Sequence, residues 1–151
     1  MTHNIKHTKN VIEIKPVMSP YKQIEYPNWA LSGEKDFDGT SYSVGTSYLT
    51  QPFVMIEDTH SHDFDQILFF VNADLRKPKD FHAEIEITMG EGGKLKKHLI
   101  NYASCVYIPA GTPHGPVNVI KVDHPITFTD VTLSPTHSVR PVPKASERGK
   151  Q

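Results

Sequence analysis

One cysteine in 151 residues excludes an internal disulfide, and with it the small secreted scaffold that depends on cystine staples. Cys105 lies in the apolar run 104–108 and is expected to act as a small buried hydrophobe. A cytosolic setting fits best. An excess of charge is also missing: 16 Lys and Arg stand against 17 Asp and Glu, a formal net charge of −1. The clustered positive field that nucleic acid or an anionic membrane would select is therefore absent. No apolar stretch approaches the roughly 20 residues of a membrane span. The first residues, Met1-Thr2-His3-Asn4-Ile5, carry no apolar signal core. The expected partner is a small molecule, with neither nucleic acid nor membrane.

Helical periodicity is scarce as well. Almost no window keeps apolar residues at helical spacing without meeting a proline or glycine, and 12 prolines and nine glycines are spread along the chain. What is present instead is a series of short segments rich in β-branched and aromatic residues, bounded by turn residues. They fall at 11–14, 43–50, 53–57, 66–71, 83–89, 98–102, 104–108, 117–122 and 126–133. Such a series predicts an all-β sandwich or barrel, with at most a helical turn or two near 21–31 or 75–79. At this length one domain is expected, large enough to fold around its own core.

The ends differ from the middle. Residues 1–39 read as an N-terminal arm in which the isolated strand 11–14, followed by Pro16 and Pro20, completes a sheet edge in its own domain or a neighbour's; a homodimer is the expected assembly. Residues 134–151 are polar and punctuated by proline, a composition that predicts a flexible tail.

The chemistry concentrates in two places. His60-Ser61-His62 follows the segment 53–57, and residues two apart in an extended chain point to the same side, so both imidazoles can reach one metal ion. Asp65 and Gln66 then compete for one inward position, because strand alternation sends neighbours to opposite faces. Further on, Pro109-Ala110-Gly111-Thr112-Pro113-His114 ends one strand on a tight turn and starts the next with a third histidine.

Together these residues resemble the two signature motifs of the cupin superfamily. The first motif usually runs Gly, five residues, His-x-His, three or four residues, Glu, six residues, Gly; the second runs Gly, five residues, Pro-x-Gly-x-x-His, three residues, Asn. Here His60-x-His62 with Gln66, and Pro109-x-Gly111-x-x-His114-x-x-x-Asn118, fill those patterns, while Val54, Ala73 and Ala103 stand at the outer glycine positions. The resemblance covers residues 40–133. It implies a double-stranded β-helix, or jelly roll, with a divalent metal inside the barrel on His60, His62, Gln66 and His114. Gln66 replaces the usual Glu, and members with three histidines and a glutamine exist; Asp65 is its rival as fourth ligand.

An amide in place of a carboxylate leaves the ion's 2+ charge uncompensated, which strengthens its pull on a carbonyl or enolate oxygen. Imidazole with oxygen suits Fe, Mn, Ni, Co or Zn. Glu84 and Glu86 alternate with apolar residues in 83–89. They would be general bases if that face were internal and ordinary wet-face residues if it were external. Positions in register with the ligands, Val54, Ile56, Leu68, Phe70, Val106 and Ile108, are the expected apolar walls of a substrate pocket. The chain therefore reads as a metal-dependent enzyme acting on a small oxygen-rich molecule. Lewis-acid isomerase, lyase or cyclase chemistry is expected, or dioxygenase chemistry with iron. The alternative is a non-catalytic binding or sensing protein of the same fold.

Overall fold

A computed structural model of the chain describes residues 10–137 and 140–141. In chain order these form β1 (Trp29–Ser32), the single helical turn α1 (Gly33–Asp36), β2 (Ser43–Leu49), β3 (Phe53–Met55), β4 (His60–Ser61), β5 (Gln66–Asn72), β6 (Ala83–Glu91), β7 (Lys94–Ile100), β8 (Ser104–Ile108), β9 (His114–Val122), β10 (Ile126–Thr132) and β11 (Arg140–Pro141). The all-β expectation holds. The hairpin between β6 and β7 turns in two residues, Gly92 and Gly93, both at positive φ, a conformation open to glycine at little cost. Pairing therefore begins at Glu91 and Lys94, which starts β7 four residues before the expected 98.

Two antiparallel sheets result. One runs β1-β2-β10-β5-β8, the other β11-β4-β9-β6-β7, with β3 also paired to β9. The chain crosses between them after β2, β4, β5, β7, β8, β9 and β10, so consecutive segments face one another across a shared interior. Leu49, Leu68, Phe70, Ile108, Ile126 and Phe128 come from the first sheet, and Phe53, Met55, Ile85, Ile87, Val117 and Val119 from the second. Burial of each large side chain contributes roughly 1.5–3 kcal/mol. The alternation is clean in β5, where Gln66, Leu68, Phe70 and Asn72 are buried and Ile67, Phe69 and Val71 are not.

The ends depart from expectation. Residues 11–14 are not a strand. Val11 is exposed, and the edge is formed instead by β1, behind an isolated bridge between Val17 and Asn28. Nor is the described part of 134–151 detached. Ser43 Oγ donates to the Ser134 carbonyl, Ser32 Oγ to the Pro135 carbonyl, and β11 pairs with β4; the rest of the expected flexible tail lies outside the described residues. Cys105 is exposed rather than buried, because in β8 it is Val106 and Ile108 that turn inward. Among the described residues no helix is long and apolar enough to cross a membrane.

Candidate metal centre

His60 and His62 are buried at the end of β4, and Ser61 between them faces away, as a period of two requires. His114 opens β9 and lies directly opposite His60 in the ladder. The turn before it is set by Gly111, at φ 80, whose N–H donates to the His62 carbonyl at 2.7 Å. Gly115 follows at φ 93, where a Cβ would come within 2.9 Å of the Asp58 carbonyl oxygen and 3.4 Å of His60 Nδ1. Only glycine lets these two segments approach so closely. The three imidazoles converge, with ring centroids 4.3 Å apart for His60 and His114, 4.9 Å for His60 and His62, and 5.0 Å for His62 and His114. One ligand nitrogen from each lies within 4.8 Å of the others.

Backbone carbonyls decide which nitrogens are offered. His60 Nδ1 lies 3.0 Å from the Asp58 carbonyl and His114 Nδ1 lies 2.9 Å from that of Thr112. A carbonyl only accepts, so each Nδ1 carries the proton and each Nε2 presents a lone pair. Such outer hydrogen bonds orient metal-ligating histidines in general. Burial pushes His114 down to about 4; the Thr112 carbonyl acts against this, and the neighbouring rings of His60, His62 and His137 add to it.

Gln66 and Asp65 part company as alternation requires. Gln66 is buried, whereas the Asp65 carboxylate turns outward, accepting the Tyr107 hydroxyl and the Ala110 N–H at 2.9 Å each. It holds the Tyr107 phenol above its usual range. Gln66 Nε2 donates to both carboxylate oxygens of Asp130, at 2.8 and 2.9 Å, and its Oε1 is buried with no hydrogen-bond partner. His114 Nε2 is buried in the same condition. Left that way, each would cost on the order of 1–3 kcal/mol. Neutral imidazole nitrogens with an amide oxygen fit a divalent transition ion, and the donors do not fix which one.

Other expected site residues fall elsewhere. Glu84 and Glu86 sit on the outer face of β6, opposite the buried Ala83, Ile85 and Ile87, and Glu86 pairs with Lys97 at 3.0 Å. They are wet-face residues, not bases of the site. Val54 is 41% exposed, with Phe53 and Met55 inward. Ile56 adopts φ 55, so the chain loses its strand alternation between β3 and β4 and a parity counted back from His60 fails. Leu68, Phe70 and Ile108 are buried in the core, and Ile56 and Val106 pack against it. None of these six lines the cavity that lies beside Asp130 and His137.

That cavity, about 920 Å³, has the small residues Ala30, Ser32, Ser43 and Gly45 in its lining, with Asp130, Thr132 and His137 among its other walls. Ile12, Glu13 and Lys15 of the N-terminal arm form part of its lining. His137 packs edge-on against His62 at 4.7 Å, and its Nδ1 lies 3.3 Å from Thr132 Oγ1; Phe64 stacks on His62, also at 4.7 Å. Asp130 and His137 are the residues that the sequence reading missed. The spaced small residues Ser43-x-Gly45 and the polar pair Asp130-x-Thr132 in an otherwise core-forming strand were the available signals.

No protein-family model and no curated protein matches the sequence. Among solved structures, the chain is similar to oxalate decarboxylase from Bacillus subtilis. One variant of that enzyme matches with a TM-score of 0.56 and 11% identity over 89% of this chain and 33% of that one. A structure concerned with its Mn(II) centres matches with a TM-score of 0.55 and 11% identity over 82% and 31%. The chain has the cupin fold. It spans 31–33% of the length of these two oxalate decarboxylase structures. At so low an identity the likeness extends to the cupin barrel alone, and the ligand-bearing residues above are argued from their own geometry.

Proposed function

We propose that this cupin is a metal-dependent enzyme acting on a small, oxygen-rich organic molecule that meets the ion from the cavity side. The observation that carries this reading is a pair of buried acceptors lacking donors, His114 Nε2 and Gln66 Oε1, beside a cavity whose wall includes Asp130 and His137. A divalent ion held by His60, His62, Gln66 and His114 supplies Lewis-acid polarisation of a carbonyl or enolate oxygen and, if it is iron, access to dioxygen chemistry. The chain's own residues bind and orient. The Asp58 and Thr112 carbonyls fix two imidazoles, and Phe64 and His137 pack on His62, covering it. Thr132, Lys15 and Lys35 are among the residues lining the space where an oxygen-rich ligand would lie, together with the acidic Glu13, Asp36, Asp38 and Asp130. The uncharged ligand set favours isomerase, lyase or cyclase chemistry over dioxygenase chemistry.

A non-catalytic binding role has one observation on its side: Glu84 and Glu86 face outward, which removes the nearest expected bases. Metal analysis after reconstitution tests the main reading. Wild-type protein is expected to hold stoichiometric transition metal and the His60→Ala, His62→Ala double variant to lose it; retention by the double variant would sink the assignment. Ligand binding without turnover across candidate enols and hydroxy acids would favour the binding role.

A further inference from the structure

The amide of Gln66 is symmetric enough to face either way, and its usefulness as an oxygen ligand depends on which way it faces. In this chain the choice is made by one neighbour. Both oxygens of Asp130 accept from Gln66 Nε2, at 2.8 and 2.9 Å. The flipped amide would set Oε1 against a carboxylate that can only accept, so the side chain is held with Oε1 directed elsewhere, buried and without a donor. Asp130 lies on β10 across the ladder from Leu68, and Thr132 lies directly opposite Gln66. Thr132 Oγ1 bridges onward, 3.5 Å from Asp130 Oδ1 and 3.3 Å from His137 Nδ1.

We propose that Asp130 is the positioning residue of the metal centre. It orients Gln66 so that an oxygen, not an NH2 group, completes the ligand set, and it keeps a negative charge behind the ligand instead of on it. The proposal rests on the metal-binding reading above. It also accounts for an amide at position 66: a glutamate there would place a second carboxylate against Asp130, whereas glutamine supplies the two N–H donors that Asp130 accepts. Asp130 acts through Gln66, and its loss should therefore matter only while Gln66 is present.

The test is Mn(II) affinity, measured by competition and by the electron paramagnetic resonance of the bound ion, with far-ultraviolet circular dichroism to confirm folding. The isosteric change Asp130→Asn is expected to weaken Mn(II) binding about 10- to 100-fold. The same change in a Gln66→Ala background should have little further effect, because the pair forms one coupled unit. In an Asp130→Asn background, Gln66→Glu should recover affinity, since a carboxylate can accept from the new amide and ligate with its other oxygen. Unchanged affinity in Asp130→Asn would overturn the proposal, as would additive losses in the two backgrounds; the latter would make Asp130 a remote charge. Wild-type protein that binds no Mn(II), or binds it equally after His60→Ala and His62→Ala, would overturn the metal reading itself, and Asp130's role with it.

Discussion

Burial at His114 makes the metal-free protein sensitive to acid in a defined direction. Its ordinary value is 6.5 and its folded value about 4, so between these limits the unfolded chain binds a proton that the native state excludes. The contribution to stability is fully present above about pH 6.5 and is lost as pH falls towards about 4, amounting to about 3 kcal/mol at its full extent. Denaturant midpoints of chelator-treated protein at pH 7 and pH 4.5 should show this loss, and His114→Gln should flatten it. An unchanged pH slope in the variant would refute the assignment. At this scale the sequence was legible where the constraint was short-ranged. A strand period placed His60 with His62 and separated Gln66 from Asp65, and a proline-glycine turn presented His114. Asp130 stayed hidden because its contact with Gln66 spans 64 positions, and in a strand that alternates core and polar residues it resembles any other polar member. His137 was hidden for a similar reason, since nothing in a polar, proline-rich segment announces that it folds back onto His62.

Among the elements, the approach of β4 to the start of β9 is the most exposed to a single change. Gly115→Ala adds a Cβ at φ 93, within 2.9 Å of the Asp58 carbonyl that holds His60 Nδ1. The strained backbone should cost on the order of 1–3 kcal/mol, and the displaced carbonyl should lower metal occupancy. Thermal melting and metal stoichiometry of the variant check both effects together. Phe70 provides the contrast. It is fully buried, 5.1 Å from Phe128 between ring centroids, so Phe70→Ala should destabilise the fold by about 3–5 kcal/mol while folded protein still takes up metal. Loss of uptake by the folded variant would return Phe70 to the pocket wall. Alternation predicted β5, β8 and β10 well because each pairs in an unbroken register, and it served β6 up to Ile87, beyond which a register shift puts Thr88 inside as well. It misplaced Val54 because the count ran across Ile56, and it misassigned Leu68, Phe70 and Ile108 because inward parity does not separate a packed interior from the open space beside it. That distinction depends on side-chain size, and Ser43 and Gly45 carried it.

Across the whole molecule, both ends of the described chain return to the site. Ile12, Glu13 and Lys15 stand along the cavity, and residues 134–137 with β11 run beside β2 and β4. A chain ending at Leu133 keeps every residue of the core cluster and is expected to fold, yet to surrender its metal to a chelator faster than the full chain, because His137 no longer covers His62. Equal release rates would show that the segment has no protective role. The ligands themselves are divided between the two sheets, with His60 and His114 on strands of one and Gln66 on a strand of the other. An ion held by all of them is a cross-link through the interior, and the sheets cannot separate at that end without releasing it. Free metal at 100 times its dissociation constant would add about 2.7 kcal/mol to global stability. Amide exchange in β5 and β9, strands of different sheets, should then slow in concert on loading, coupling the breathing of two sheets that share no hydrogen-bonded ladder.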